Sequence, residues 1–303
     1  MFKNERKVSK IKKNYKDRNL NIRKTFPSEE KIGMTGFSIK IIATFVMFID
    51  HITASTFNMW IPFLYRNNFS LEEMEILRVS LRSIGRLSFP VFCFLVVEGF
   101  VHTKNIKRYI LSMLIFGVIS EVPFDMAIFN TIIYWGHQNV YFTLSLGLIT
   151  LSGIKLYGKN FGIKLCIALG IAIMASLLKT DYGFYGVLLI VVLYIYRENR
   201  WKKYLLSSVV LIMSYSSDIL ITMIKYILTS ANIKESLPLV INYIIESVPW
   251  GTYFAYITFS IFTFIIMELY NGKKGKNINK YLFYGFYPIH LLLLGILRLI
   301  IKK

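Results

Sequence analysis

Cysteine is scarce. The 303 residues hold two, Cys93 and Cys166, so no disulfide framework is implied. Both fall inside apolar runs and are expected to pack as small core residues. Acidic residues are also few: 17 Asp and Glu stand against 36 Lys and Arg, a net charge of +19. The excess sits in short runs between apolar segments rather than on a basic face, so nucleic acid is not an expected partner. The four histidines form no dense ligand motif, and no metal is expected. No 20–50-residue repeat or two-half symmetry is visible, which counts against a transporter built from inverted repeats. Long polar stretches are rare beyond the N-terminus, where residues 1–35 are too long and too charged for a signal-peptide n-region.

What remains is apolar. The chain is 55% hydrophobic with a mean hydropathy of +0.51, and runs of about 20 apolar residues recur, the length a helix needs to cross a bilayer. The fold expected is all-α and polytopic in the cell (plasma) membrane, with about nine spans (eight to ten). They are placed at 37–57, 83–101, 108–128, 139–156, 162–178, 183–197, 203–228, 250–270 and 281–300. Lys and Arg crowd 102–107, 157–161, 198–202 and 271–280, and are sparse in 129–138, 179–182 and 229–249. The positive-inside rule then puts the N-terminus in the cytoplasm. Residues 1–35 read as a basic, disordered cytoplasmic tail against anionic headgroups, and 36–303 as the transmembrane domain. The stretch 237–248, between Pro238 and Pro249, is too short to cross and reads as interfacial or re-entrant.

Charge inside the spans carries the functional information, because an ionised side chain at the bilayer centre costs roughly 2.5–3.5 kcal/mol on insertion scales and is kept for a partner or a task. The first span, GFSIKIIATFVMFIDHITASTFN, holds Lys40, Asp50 and His51. Lys40 and His51 are eleven residues apart, which is three turns plus about 20°, so they share one helix face about 16 Å apart. Asp50 lies about 100° around from His51 and is free to pair with Arg86 on the second span. Glu98 and His102 share a face at the inner border, and Glu121 and Asp125 share one in the outer third. Like charges at that spacing repel, so one carboxyl is expected to hold a proton or meet a cation such as Arg86. Pro90 is expected to kink the second span and Pro123 to free a carbonyl in the third. His290 sits at mid-depth behind Pro288. Together these residues suggest a through-membrane chamber with two mouths, without naming a reaction.

The segments FSIKIIATFVMFIDHI, LRSIGRLSFPVFCFLVVEGFVHTKNIKRYILSMLIFGVISEVPFD, QNVYFTLSLGL and YGFYPIHLLLL resemble, in order, the TraX family. That family is named for a conjugal-transfer protein associated with N-terminal acetylation of pilin, and it includes a fimbrial-assembly relative. It is in turn similar to the transmembrane acyltransferases that acylate surface sugars and to heparan-glucosaminide N-acetyltransferase. A basic residue, a ten-residue spacer and a histidine mark the first span of the sugar-acylating group; Lys40 and His51 fit that pattern, with Lys where Arg is usual.

The resemblance implies an acetyl-CoA-dependent acyltransferase. Cytosolic acetyl-CoA would be the donor, and a pilin-like protein, peptide or surface glycan the acceptor of an N- or O-linked acetyl group. It implies catalytic roles for His51, Asp50 and Glu121. Donor or acceptor binding would fall to Lys40, Arg86, Glu98, His102, Asp125, Asn139 and His290. A proton-coupled transporter or flippase and a non-catalytic pilus-assembly factor are the alternatives, since intramembrane Asp, Glu and His also make proton relays.

Overall fold

The computed structural model describes residues 32–229, 238, 241–242 and 249–301. The expected tail at 1–35 falls almost wholly outside the described residues, as does most of 237–248. The described chain runs through α1 (Gly36–Arg66), α2 (Leu71–Gly85), α3 (Ser88–His102), α4 (Ile106–Phe129) and α5 (Val140–Tyr157). It continues through α6 (Phe161–Leu177), α7 (Gly183–Ile195), α8 (Arg200–Thr229), α9 (Trp250–Glu268) and α10 (Lys280–Ile301). Each of the nine expected spans falls on helix, the second (83–101) across the end of α2 and most of α3. By length and apolarity, six helices of the described residues can cross a membrane, or seven if a bent pair within α8 counts as one span; α2 and α3 count together, as Leu71–His102. The apolar helices α6 and α7, at 17 and 13 residues, fall short of the roughly 20 that a span needs. Sequence apolarity counted them as spans; their lengths do not meet that requirement.

Two boundaries differ from expectation for identifiable reasons. α1 runs nine residues past the expected end at 57 and turns at Asn67–Asn68 into α2, which opens on a capping box between Ser70 and Glu73. The second expected span is a break rather than a kinked rod. α2 stops at Gly85, α3 restarts at Ser88, and Pro90 falls in the first turn of α3, where its missing N–H costs little. Pro288, inside α10, shows the opposite case. A proline there frees the carbonyl four residues back, and Tyr141 Oη donates to that oxygen, Tyr284 O, at 3.0 Å.

The helices wrap around a core formed by Phe89, Cys93, Val97, Leu144, Leu148, Ile190 and Leu291. Many large apolar side chains face outward, among them Ile41, Phe45, Val118, Ile173 and Leu293, as a lipid-facing surface requires. Cys93 is buried as expected, but Cys166 is exposed on α6, because its position on that helix faces away from the bundle. Both ends are tied by backbone pairing. Met34 N donates to Leu269 O at 2.6 Å and Gly36 N to Lys273 O at 2.8 Å. At the other end Gln138 N donates to Lys179 O at 2.9 Å and Asp181 N to Gln138 O at 2.8 Å.

α10 packs closely against α4. A Cβ at Gly295 would come within 2.7 Å of Met126 Cβ and 3.3 Å of Ala127 N, the close backbone approach that small residues permit between membrane helices. Gly295→Leu is therefore expected to separate the two helices and cost about 1–3 kcal/mol, as overpacking does. A lowered thermal midpoint in detergent checks this, with exposed Leu293→Ala as the control.

Candidate functional site

One face of α1 organises the interior. Lys40, Thr44 and Met47 line a cavity of about 630 Å³, the inner one in the N-in orientation that the charge pattern predicts. Met47, His51 and Ala54 line an outer one of about 840 Å³. The spacing of 4, 3, 4 and 3 residues is one stripe of an α-helix. The two cavities share Met47, Phe92, Val140, Leu144 and Tyr287 as walls, so they meet end to end along that stripe. The inner cavity is aromatic and apolar, walled by Tyr109, Tyr141, Phe283 and Tyr284. Lys40 Nζ stands 5.0 Å from the Phe283 ring centroid and has no carboxylate partner among the described residues. The strand of chain carrying Lys273 and Lys274 crosses the start of α1 beside it.

The outer cavity is polar. It holds Asp50, His51, Arg82, Arg86, His137, Asp181 and Tyr182. His51 Nδ1 lies 2.7 Å from His290 Nε2, with the rings 10° from parallel. His290 Nδ1 in turn lies 2.7 Å from Phe286 O, one turn back on α10. His51 Nε2 has no hydrogen-bond partner among the described residues. The partner of the His51 ring is thus His290, rather than Asp50 or Glu121, for which the resemblance implied catalytic roles.

Asp50 points elsewhere because it lies about 100° around the helix from His51. Its Oδ1 is 2.8 Å from Arg82 Nη1, off the hydrogen-bonding direction, and Arg82 Nη1 also donates to Asp50 O at 3.2 Å. Arg82, not Arg86, is therefore the ion partner of Asp50. Arg86 instead donates to Tyr182 Oη at 3.1 Å, with its guanidinium 4.8 Å from the Tyr256 ring centroid, and its buried Nε has no partner among the described residues. Tyr182 adopts a left-handed φ of 60°, a strained state for a non-glycine residue. Its ring stacks on Phe89 at 3.6 Å between centroids. At the rim, His137 Nε2 is 3.4 Å from Asp181 Oδ1, and that carboxylate raises the His137 pKa above its ordinary value.

The other expected residues are occupied and line neither cavity. Glu98 takes a bidentate ion pair from Arg197, at 2.7 and 3.2 Å, with His102 at 3.5 Å. Glu121 accepts from Asn139 Nδ2, and Asn139 Oδ1 caps the start of α5 by accepting from Tyr141 N at 3.1 Å. Asp125 accepts from Tyr134 N at 2.7 Å, holding the 130–139 turn. Glu121 and Asp125 do not meet Arg86; Asn139 and a loop N–H each bond one oxygen, and the other oxygen of each is buried without a partner among the described residues. Among the described residues no three His, Cys, Asp or Glu side chains gather as a metal centre would require. The sequence reading missed Arg82, Tyr182, His137 and Asp181. Arg82 alone had a signal, because it lies four residues before Arg86 and shares its face.

The model for TraX protein matches residues 36–298. The chain belongs to the TraX family. It is also 28% identical over 274 residues to a Dichelobacter nodosus protein named "Probable fimbrial assembly protein FimC, serogroup H1", a match spanning 87% of this chain and 95% of that one. No solved structure matches. The TraX match begins at the first residue of α1 and ends within α10, so His51 and His290 both lie inside it.

Gly85 abuts the acid of this site. A Cβ there would overlap Cβ and Oδ1 of Asp50. Gly85→Ala is expected to displace Asp50 from Arg82 and lower stability by about 1–3 kcal/mol. Thermal unfolding checks it, and Gly251→Ala, which meets open space, should be neutral.

Proposed function

We propose that this TraX-family membrane protein is a pilus-related acetyltransferase of the cell membrane. It would move an acetyl group from acetyl-CoA to an amine or hydroxyl of a pilin-like protein, peptide or glycan. The observation that carries the reading is the continuous stripe from Lys40 to His51, with a cavity at each end and a shared wall between. A cation at one mouth suits the donor's phosphates. The aromatic inner cavity suits an extended, largely apolar arm. The unpartnered Nε2 of His51 suits a base at the far end.

In the reaction the acceptor N–H or O–H gives its proton to His51 Nε2 as its lone pair attacks the thioester carbonyl. The tetrahedral oxyanion forms beside Arg86, whose Nε has no partner among the described residues. Collapse breaks the C–S bond, and the departing thiolate takes the proton back from His51. Atoms and charge balance without a metal or an oxidant. Asp50, tied to Arg82, holds the guanidinium layer of the chamber rather than the imidazole.

The printed name of the Dichelobacter relative supports the pilus-related context. The test is purified protein with labelled acetyl-CoA and a membrane extract containing pilin. Thioester turnover is expected, falling about 10²–10⁴-fold in His51→Ala, the usual loss for a missing general base. Absence of turnover, with a pilin-like protein still co-purifying, would overturn the enzymatic reading in favour of an assembly factor. Proton flux in liposomes without thioester cleavage would do so in favour of a transporter.

A further inference from the structure

His290 meets His51 ring to ring, and its other nitrogen meets a group that can only accept. A carbonyl oxygen has no proton to give, so the 2.7 Å contact to Phe286 O requires His290 Nδ1 to carry hydrogen. In the neutral ring the proton is then absent from His290 Nε2. That bare nitrogen lies 2.7 Å from His51 Nδ1, so Nδ1 of His51 must be the N–H. The neutral His51 ring is left with its lone pair on Nε2, the nitrogen without a partner among the described residues.

We infer that His290 is a positioning residue that fixes the tautomer of His51 through the relay Phe286 C=O, His290, His51, and so makes Nε2 the reacting nitrogen. The inference rests on the acetyl-transfer reading for its kinetic consequence, but not for the tautomer. His290 takes the place that a carboxylate holds in the familiar base–orienter pair. A neutral orienter suits this depth, since a carboxylate in contact with the ring would add a charge to a site that already holds Asp50 and Asp181. When His51 takes the acceptor's proton, its Nδ1–H keeps donating to His290 Nε2, so the imidazolium stays hydrogen-bonded while the acetyl group moves. Three rings lock His290 in place. Phe286 stacks at 4.8 Å between centroids, and Phe48 and Tyr287 meet it edge-on at 5.8 Å each. Burial to 3% exposure keeps water from competing for the relay.

The test pairs two variants with two readouts. His290→Phe fills the aromatic cage but offers no acceptor, whereas His290→Gln keeps an acceptor oxygen on a flexible side chain. ¹⁵N resonances of histidine-labelled protein in detergent read the His51 tautomer without any turnover, so failure of this relay and failure of the acetyl-transfer reading are distinguishable. Wild type is expected to show the Nδ1–H form of His51, and His290→Phe a mixture of tautomers. In turnover, His290→Phe is expected to lower kcat by about 10-fold or more, short of the roughly 10⁴-fold seen when an orienting partner enforces the wrong tautomer, with KM for acetyl-CoA unchanged. His290→Gln should recover much of that loss. An Nε2–H form of His51 in wild type would overturn the inference, as would a His290→Phe variant with wild-type kcat and pH profile.

Discussion

An imidazole between membrane helices has little bulk water to bond, so each ring nitrogen must find a protein partner or face a cavity that a substrate can fill. The His51–His290 contact satisfies three of the four nitrogens of the pair: one by a backbone carbonyl and two by each other. Much of the interior follows the same constraint. Asp50 is held by Arg82, Arg86 by Tyr182, Glu98 by Arg197 and Glu121 by Asn139. Each pair ties two helices or the residues that cap or follow them, so the polar contacts that make the charges tolerable also fix which segments are neighbours. The free Nε2 of His51 and the partnerless Nε of Arg86 both belong to residues of the outer cavity, where a substrate has something to meet; among the described residues Glu121 Oε1, Asp125 Oδ1 and Asn130 Oδ1 are also buried without a partner, on residues that do not line that cavity.

The passage depends on that arrangement. A 3.6-residue period puts Lys40, Thr44, Met47, His51 and Ala54 in one line. Arg82, in the last turn of α2, and Arg86, which caps it, line the far end of that stripe. The left-handed turn at Tyr182 does similar work from the other side, aiming its hydroxyl at Arg86 and its ring at Phe89.

Much of this was legible in the residue order where a single helix decides the answer. The Lys40–His51 stripe and the helical segments come from local period and local chemistry. The partners were not legible, because they are set by packing between helices far apart in sequence. Glu98 and Arg197 are 99 residues apart, and His51 and His290 are 239 apart. Arg82 and Arg86 share a helical face, so spacing alone could not decide which of them Asp50 takes. Apolarity made α6 and α7 look like full spans, but it carries no information about where Tyr182 and Gly183 start the second of them.

The central claim is that a thioester donor entering beside Lys40 reaches His51 along one helix face. A structure determined with coenzyme A bound tests it most directly. The account predicts the nucleotide phosphates beside Lys40, the pantetheine arm between Met47 and Leu144, and the thiol in the outer cavity beside His51 Nε2. Coenzyme density outside this passage, or a His51 ring turned to lipid, would contradict it.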